Sequence, residues 1–237
     1  MNIIFSPAKE MNLDNKLNED WSLNQKSQKI VEVLKTMSKN DLQKKLGINE
    51  SVLSQVIEYI SGFDKQKSYK ALDLYHGLAY RWMKNVGLVE EDLAYLDQHL
   101  TILSALYGPI KSSNLIKPYR LDFNTSIKLD GQSLKAYWKA YYNDFFMDDS
   151  TIINLASDEF SSLLDRNRFN IIDVEFFENN KDKLKKHSTI SKKGRGQMLA
   201  YMAKNKVKRV EELKAFSMEG YQFSEELSDE HKFVFLK

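Results

Sequence analysis

The chain contains no cysteine. Disulfide staples, thiolate nucleophiles and thiolate metal sites are therefore excluded, in keeping with a reducing compartment. Proline is nearly as scarce, with three in 237 residues, so each one is a strong break signal. No apolar run approaches the roughly 18 residues that a membrane span needs, and Met1 to Phe5 is too short for the apolar core of a signal peptide. The expected location is the cytoplasm, with no membrane partner. Excess charge is also missing: the net value is +2, so binding to a polyanion would have to come from local clustering. There is no Walker loop, dinucleotide glycine fingerprint or nucleophile elbow, and Gly194-Arg195-Gly196 is too short to be any of them. His76, His99, His187 and His231 show no ligand spacing, and no carboxylate and histidine stand at the helical spacing that direct iron storage would use.

What is present is a large apolar fraction, 42%, enough for a sizeable core in a single domain over residues 1–237. Short β-branched or apolar runs predict strands at Ile3 to Phe5, Ala71 to Tyr75, Leu100 to Leu103, Thr151 to Asn154, Asn170 to Glu178, paired with Lys186 to Ile190, and Lys232 to Leu236. Helical spacing predicts helices over Gln25 to Met37, Asp41 to Leu46, a segment after Asn49, Leu78 to Val86, Glu90 to Gln98, Ser133 to Phe146, and Val207 to Phe216. Strand, tight turn and capped helix recur. If the strands are mainly parallel, the loops after Phe5, Ser104 and Asn154 gather along one sheet edge, where α/β proteins place ligands. The class expected is mixed α/β, a central sheet surrounded by helices.

Three places carry candidate chemistry. The first is the polar loop after Leu103, which holds Lys111 and Lys117 between Pro109 and Pro118, and Tyr119, Arg120 and Asp122 just beyond Pro118; a rigid loop of cations, a phenol and a carboxylate is a site candidate, and an ordinary surface connection is the plainer reading. The second is a basic run, Lys181, Lys183, Lys185, Lys186, Lys192, Lys193, Arg195, Lys204, Lys206, Lys208 and Arg209 against Asp182 alone. Ser191 can cap a helix there, which puts Lys192, Lys193 and Arg195 in its first turn. Cations are unfavourable at a helix N-terminus, so a bound anion would explain them, although charge runs are commonly solvated surface. The third is Leu46-Gly47-Ile48 between two short helices (38–61), the form of a helix-hairpin-helix element, in which the Gly47 turn and the amides behind it contact a phosphate. Two helices joined by a glycine turn also simply pack. The aromatic stripe Tyr137, Trp138, Tyr141, Tyr142 and Phe145 reads first as core and second as a base-stacking platform.

The wording of these segments resembles one known family. LYGPIKSSNLIKPYRLDF is similar to the LYGxLRPxDxIxPYRLEM stretch of the YaaA family, bacterial proteins linked to peroxide stress. IIFSPAKEMN resembles that family's LISPAKTL start, INLASDEF its NLAS(D/E)EY segment, KKGRGQM its KxARGxM segment and FSMEGYQF its F-x-x-EGY-x-F ending. The matches run in order from Ile3 to Phe223. The resemblance implies a mixed α/β fold with a positively charged cleft and a helix-hairpin-helix element, binding of double-stranded and branched DNA, and protection from peroxide damage associated with lower free iron. The chain departs from the pattern at Gly108-Pro109-Ile110-Lys111-Ser112, where the family shows GxLRP. An ammonium at Lys111 cannot bind phosphate bidentately as a guanidinium does.

Two functional readings follow. In the first, Lys9, Gly47, Lys111, Tyr119, Arg120, Asn154, Ser157, Lys192, Lys193 and Arg195 grip DNA phosphates without sequence preference and without a cofactor, with Tyr107 also available to stack on a base. In the second, the same cleft holds a small phosphorylated ligand, nucleotide or nucleic acid and acts as an enzyme. Glu159 and Asp122 would then be the catalytic candidates, and Mg²⁺ or Mn²⁺ would sit on oxygens of Asp122, Asp158 and Glu159.

Overall fold

The computed structural model describes residues 1–18, 23–180 and 183–237, with backbone alone at 180 and 183. Lys181 and Asp182 of the basic run lie outside the described residues. Strand β1 (Asn2–Phe5) comes first, with Ile3, Ile4 and Phe5 all buried. Burial on both faces is the signature of a central parallel strand. Three helices follow: α1 (Gln25–Lys35), α2 (Lys39–Leu46) and α3 (Glu50–Ser61). The Asn24 side chain caps α1 by accepting from the Ser27 amide, and Ser38 caps α2 through the Asp41 amide. Between α2 and α3 the chain turns at Gly47, which has φ 60, while Asn49 precedes α3 without a capping hydrogen bond.

The run Ala71 to Tyr75 is not a strand. Strand β2 (Tyr69–Lys70) stops short, and α4 (Ala71–Leu74) is a single helical turn. Ala71, Leu72, Leu74 and Tyr75 are all buried, so the run has no polar face from which a period could be read. Helices α5 (Leu78–Lys84) and α6 (Glu90–His99) lead into β3 (Leu100–Ser104). Pro109 does not end the sheet as expected: the chain reverses at Ala105 to Tyr107 and returns as β4 (Gly108–Ile110), antiparallel to β3. That reversal is fixed by a close approach. Gly108 sits at φ 78, a Cβ there would lie 2.6 Å from the Trp138 ring, and the Trp138 indole donates to the Ala105 carbonyl at 2.8 Å.

Strand β5 (Leu115–Ile116) pairs with β2, and β6 (Lys128–Leu129) with β7 (Gln132–Ser133) through the Asp130-Gly131 turn. Helix α7 (Leu134–Asp144) buries Trp138 and Tyr142 and leaves Tyr141 and Phe145 on the surface. Then come β8 (Thr151–Leu155), the one-turn α8 (Asp158–Ser161), β9 (Asn170–Asn180) and β10 (Lys183–Lys185). Lys186 to Ile190 does not pair with β9. The chain leaves β10 and enters α9 (Ser188–Asn205) with His187 at the cap position. Expected as a helix from Val207 to Phe216, the next segment is a 3₁₀ stretch at Val210–Ala215, and β11 (Gln222–Phe223) and β12 (Lys232–Leu236) close the chain.

The central sheet runs β11-β12-β9-β8-β1-β3-β4, with β10 attached to β9. Neighbours from β12 through β9, β8 and β1 to β3 are parallel, whereas the edge strands β4 and β11 are antiparallel, so the sheet is mixed. Phe5 stands opposite both Ile102 and Leu155. The loops after β1, β3 and β8 therefore leave the same edge side by side. Helix α9 is buried nearly all round, from Ile190 to Ala203. Such a helix belongs inside a fold rather than on its surface. No helix among the described residues is long and apolar enough to cross a membrane.

Candidate functional site

A cavity of about 620 Å³ opens at the carboxyl edge of the parallel strands. The loop after β1 supplies Ser6, Pro7, Ala8, Lys9 and Glu10, the turn after β8 supplies Ser157, and α8 supplies Glu159. Gly77, Leu78, Ala79, Tyr80 and Arg81 come from the start of α5, Thr189, Lys192 and Arg195 from α9, and Arg120 from the chain beyond β5. Five lysine and arginine side chains thus meet two glutamates, Glu10 and Glu159. Two of the five are paired: Lys9 with Asp122 at 2.5 Å, and Arg81 with Glu10. Arg120, Lys192 and Arg195 form no ion pair among the described residues.

The two loops are locked to each other. The Ser157 amide donates to Ser6 Oγ at 2.9 Å, the two hydroxyl oxygens lie 3.2 Å apart, and the Tyr80 hydroxyl donates to the Ser6 carbonyl at 2.9 Å. Glu159 is half-buried and accepts the Phe123 amide at 2.8 Å. Burial, with Asp122 nearby, raises its carboxyl above the ordinary glutamate value. Arg195 has a buried Nε with no partner. Its burial lowers the guanidinium value, opposed by the fields of Asp158, Glu175 and Asp173.

Two glycines put Arg195 where it is. A Cβ on Gly194 would enter the Phe176 ring of β9 at 2.2 Å, and one on Gly196 would meet the Ala79 carbonyl oxygen of α5 at 2.1 Å. Side-chain-free positions on either side of Arg195 let α9 settle directly on the sheet and on α5. This is the structural reason for Gly-Arg-Gly.

The residues singled out from the sequence fall into three groups. Lys9, Arg120, Ser157, Glu159, Lys192 and Arg195 line the cavity, and Tyr119 and Asp122 line a smaller hollow of about 40 Å³ that shares Lys9 and Arg120 with it. Tyr119 is buried, its hydroxyl 2.8 Å from both Tyr75 OH and Ser104 Oγ, and burial pushes its phenol up to about 12. Asn154, Lys111, Lys193 and Gly47 stand apart. Asn154 Nδ2 donates to Asp173 at 2.7 Å and its oxygen accepts the Ala156 amide, so it braces the turn out of β8. Lys111 donates to the Gln98 carbonyl at 3.2 Å, and Lys193 lies 5.4 Å over the Trp82 ring. Lys117 is buried, donating to the Phe63 and Asp64 carbonyls at 3.0 Å each. Tyr107 is also buried, and its hydroxyl donates to the Lys117 carbonyl at 2.8 Å. Gly47 belongs to the α2–α3 turn, which is tied to the cavity by one short segment: Thr125 Oγ1 and the Ser126 amide donate to the Lys45 carbonyl at 2.7 and 3.1 Å, three residues beyond Asp122.

One expectation about α9 is overturned. The helix starts at Ser188, so Lys192, Lys193 and Arg195 lie beyond its first turn and are not cations on a helix N-terminus. Ser6, Gly77, Arg81 and Thr189 were not singled out from the sequence. Ser6 sits in a quoted motif and could have been found, but Arg81 and Thr189 reach the cavity only through tertiary packing. Among the described residues no group of three or more His, Asp or Glu side chains is arranged to hold a metal ion.

An open α/β sheet with a parallel centre and a cavity at its carboxyl edge is the architecture in which proteins of this class place ligands. A family model described as "Peroxide stress protein YaaA" matches residues 1–227. The UPF0246 protein of Streptococcus gordonii (strain Challis) is 36% identical over 240 residues, covering 100% of this chain and 98% of the relative. A UPF0246 protein of Fusobacterium nucleatum subsp. nucleatum is 34% identical over 247 residues, covering 100% and 99%. The chain belongs to the peroxide stress protein YaaA family, which supports a role in peroxide stress.

Proposed function

We propose that this protein binds double-stranded or branched DNA by its phosphates, without reading sequence, and that DNA held in this way is protected from iron-driven damage during peroxide stress. The observation that carries the reading is the set Arg120, Lys192 and Arg195 around one cavity, none of them in an ion pair among the described residues. Cations left unpaired beside buried surface are matched to an anionic guest, and guanidinium groups suit phosphate oxygens best. The α2–α3 turn is the second phosphate contact. Gly47 lets backbone approach backbone, the start of α3 is not capped by Asn49, and the Asp122 to Ser126 segment couples that turn to the cavity.

Binding of this kind releases counterions and weakens steeply with salt. Fluorescence anisotropy of labelled duplex and four-way-junction DNA at rising salt tests it. Sequence-insensitive, salt-sensitive binding is expected; no binding at low salt, or affinity unchanged between low and moderate salt, refutes it.

One observation favours a second reading, an enzyme acting on a nucleotide or nucleic acid in the same cavity. Glu159 is a half-buried carboxyl with a raised value facing the cavity, a setting that suits a general acid or base. Turnover of a nucleotide panel with Mg²⁺ or Mn²⁺ that vanishes in Glu159→Gln would establish it, and absence of turnover across the panel would remove it.

A further inference from the structure

We infer that the cavity at the sheet edge is a pocket for a single nucleoside phosphate: one sugar–base unit lies on its floor, and the phosphate of that unit sits on Arg120, Lys192 and Arg195. The inference rests on the phosphate-binding reading above and names the unit of nucleic acid that enters.

Size comes first. About 620 Å³ is the scale of a small-molecule site, whereas a duplex whose major groove alone is about 12 Å wide cannot enter such a space. Duplex DNA can lie across the mouth, and a single nucleotide fits inside.

The lining then divides by chemistry. The floor is apolar, made by Phe5, Tyr80, Leu155 and Phe160, a surface suited to the face of a base or the carbons of a sugar. Arg120, Lys192 and Arg195 line the same cavity. Arg195 adds a more specific signal, because its Nε is buried without an acceptor, and a buried donor is ordinarily satisfied. A phosphate oxygen supplies the missing acceptor. The Ser6 and Ser157 hydroxyls share one hydrogen bond at 3.2 Å, so one of their two hydrogens remains free to donate to a guest.

Bare phosphate does not account for the rest. Glu159 lines the same cavity and, when ionised, repels an anion placed beside it. A carboxylate instead accepts from base N–H or sugar O–H groups. The pocket therefore pairs a cationic side with an acceptor and an apolar floor, which is the pattern of a nucleoside phosphate. Such a unit comes either from free nucleotide or from a nucleotide swung out of a DNA strand, at the unstacking cost typical of base extrusion.

The test uses 2-aminopurine deoxyriboside 5′-monophosphate as a fluorescent probe, with the unphosphorylated nucleoside and inorganic phosphate as comparisons. The protein should change the nucleotide's fluorescence saturably, with the nucleoside and phosphate each weaker by about tenfold or more. Arg195→Gln and the exposed-site variant Lys192→Gln should each weaken the nucleotide by about tenfold; the second leaves the fold undisturbed if the buried one does not. A duplex carrying one unpaired 2-aminopurine separates the sources. A signal from it that free nucleotide competes away identifies DNA as the donor, and silence beside nucleotide binding identifies the free nucleotide. Inorganic phosphate binding as tightly as the nucleotide would overturn the inference. So would a protein that binds duplex DNA but gives no saturable nucleotide signal, which would leave the DNA-binding reading standing. Failure to bind either would remove both.

Discussion

Replacing Gly196 by alanine tests how Arg195 is delivered to the cavity. A Cβ at this position would lie 2.1 Å from the Ala79 carbonyl oxygen, 3.0 Å from the Ala79 carbonyl carbon and 3.1 Å from Trp82 Cβ. Ordinary C···O contact is about 3.3 Å, so α9 and α5 must separate by roughly 1 Å to admit the methyl. The two nearest atoms it meets, the Ala79 carbonyl oxygen and carbon, belong to backbone, and no rotamer change relieves the contact. Overpacking of this kind costs about 1–3 kcal/mol. The gain in helix propensity from glycine to alanine offsets up to about 1 kcal/mol. A backbone-to-backbone displacement puts the overpacking at the upper end, about 2–3 kcal/mol, so with the full propensity gain the net expectation is a loss of about 1–2 kcal/mol, read as a lower urea midpoint with unchanged slope. The same separation moves Arg195 away from the cavity, so DNA affinity should fall even where the variant is fully folded. A variant as stable as the parent, or more stable, would refute the close packing of α9 on α5. Gly47→Ala is the contrasting case. Nothing lies within 4 Å of its Cβ, so only the left-handed backbone at φ 60 is strained, at about 1 kcal/mol.

Other substitutions probe the buried polar groups. Asp92 is buried and ion-paired to Lys204 at 2.7 Å and to Lys206. Burial alone would raise its carboxyl, but hydrogen bonds from both lysines and the Val89 amide hold it well below the usual range. Because the folded value is depressed, its contribution is present above the unfolded value of about 3.9 and is lost as pH falls from there. Asp92→Asn should cost about 2 kcal/mol at neutral pH, with the gap to the parent closing on acidification in urea titrations. Glu159 has the opposite sign: its raised value makes the ionised form unfavourable to the fold, so its cost fades as pH drops through that value towards the unfolded one. Glu159→Gln should match or exceed the parent in stability at neutral pH, and the parent's binding of inorganic phosphate should tighten on mild acidification as the carboxylate is neutralised. Tyr119→Phe removes the hydroxyl between Tyr75 and Ser104, and thermal unfolding should show a loss of about 2 kcal/mol.

Much of the scaffold could be read from the sequence because burial wrote it plainly. Ile3 to Phe5, Leu100 to Leu103 and Thr151 to Asn154 are short apolar runs between break signals, and all three form parallel strands that end at one edge. Ala71 to Tyr75 has the same apolar look, but Ala71 to Leu74 is helical, since a turn buried at every position but Asp73 shows no period. The start of α9 misleads for a related reason: Ser188-Thr189-Ile190 has strand-like side chains, and the two glycines that lower helix propensity are there for packing. The site was legible only in part. Charge and loop position picked out Arg120, Lys192, Arg195, Ser157 and Glu159, but could not say that Lys111 turns to the Gln98 carbonyl or that Lys117 is consumed by Phe63 and Asp64. A long cationic side chain can satisfy itself on distant backbone, and only the fold decides which ones do.

The measurement that bears most directly on the cavity as a phosphate site is the salt dependence of duplex binding for the parent and for Arg120→Gln, Lys192→Gln and Arg195→Gln, with Lys39→Gln in α2 as an outside control. Each cavity variant should bind more weakly and flatten the slope of log affinity against log salt by about one, while the control keeps the parent slope. Cavity variants with the parent's affinity and slope would contradict the account.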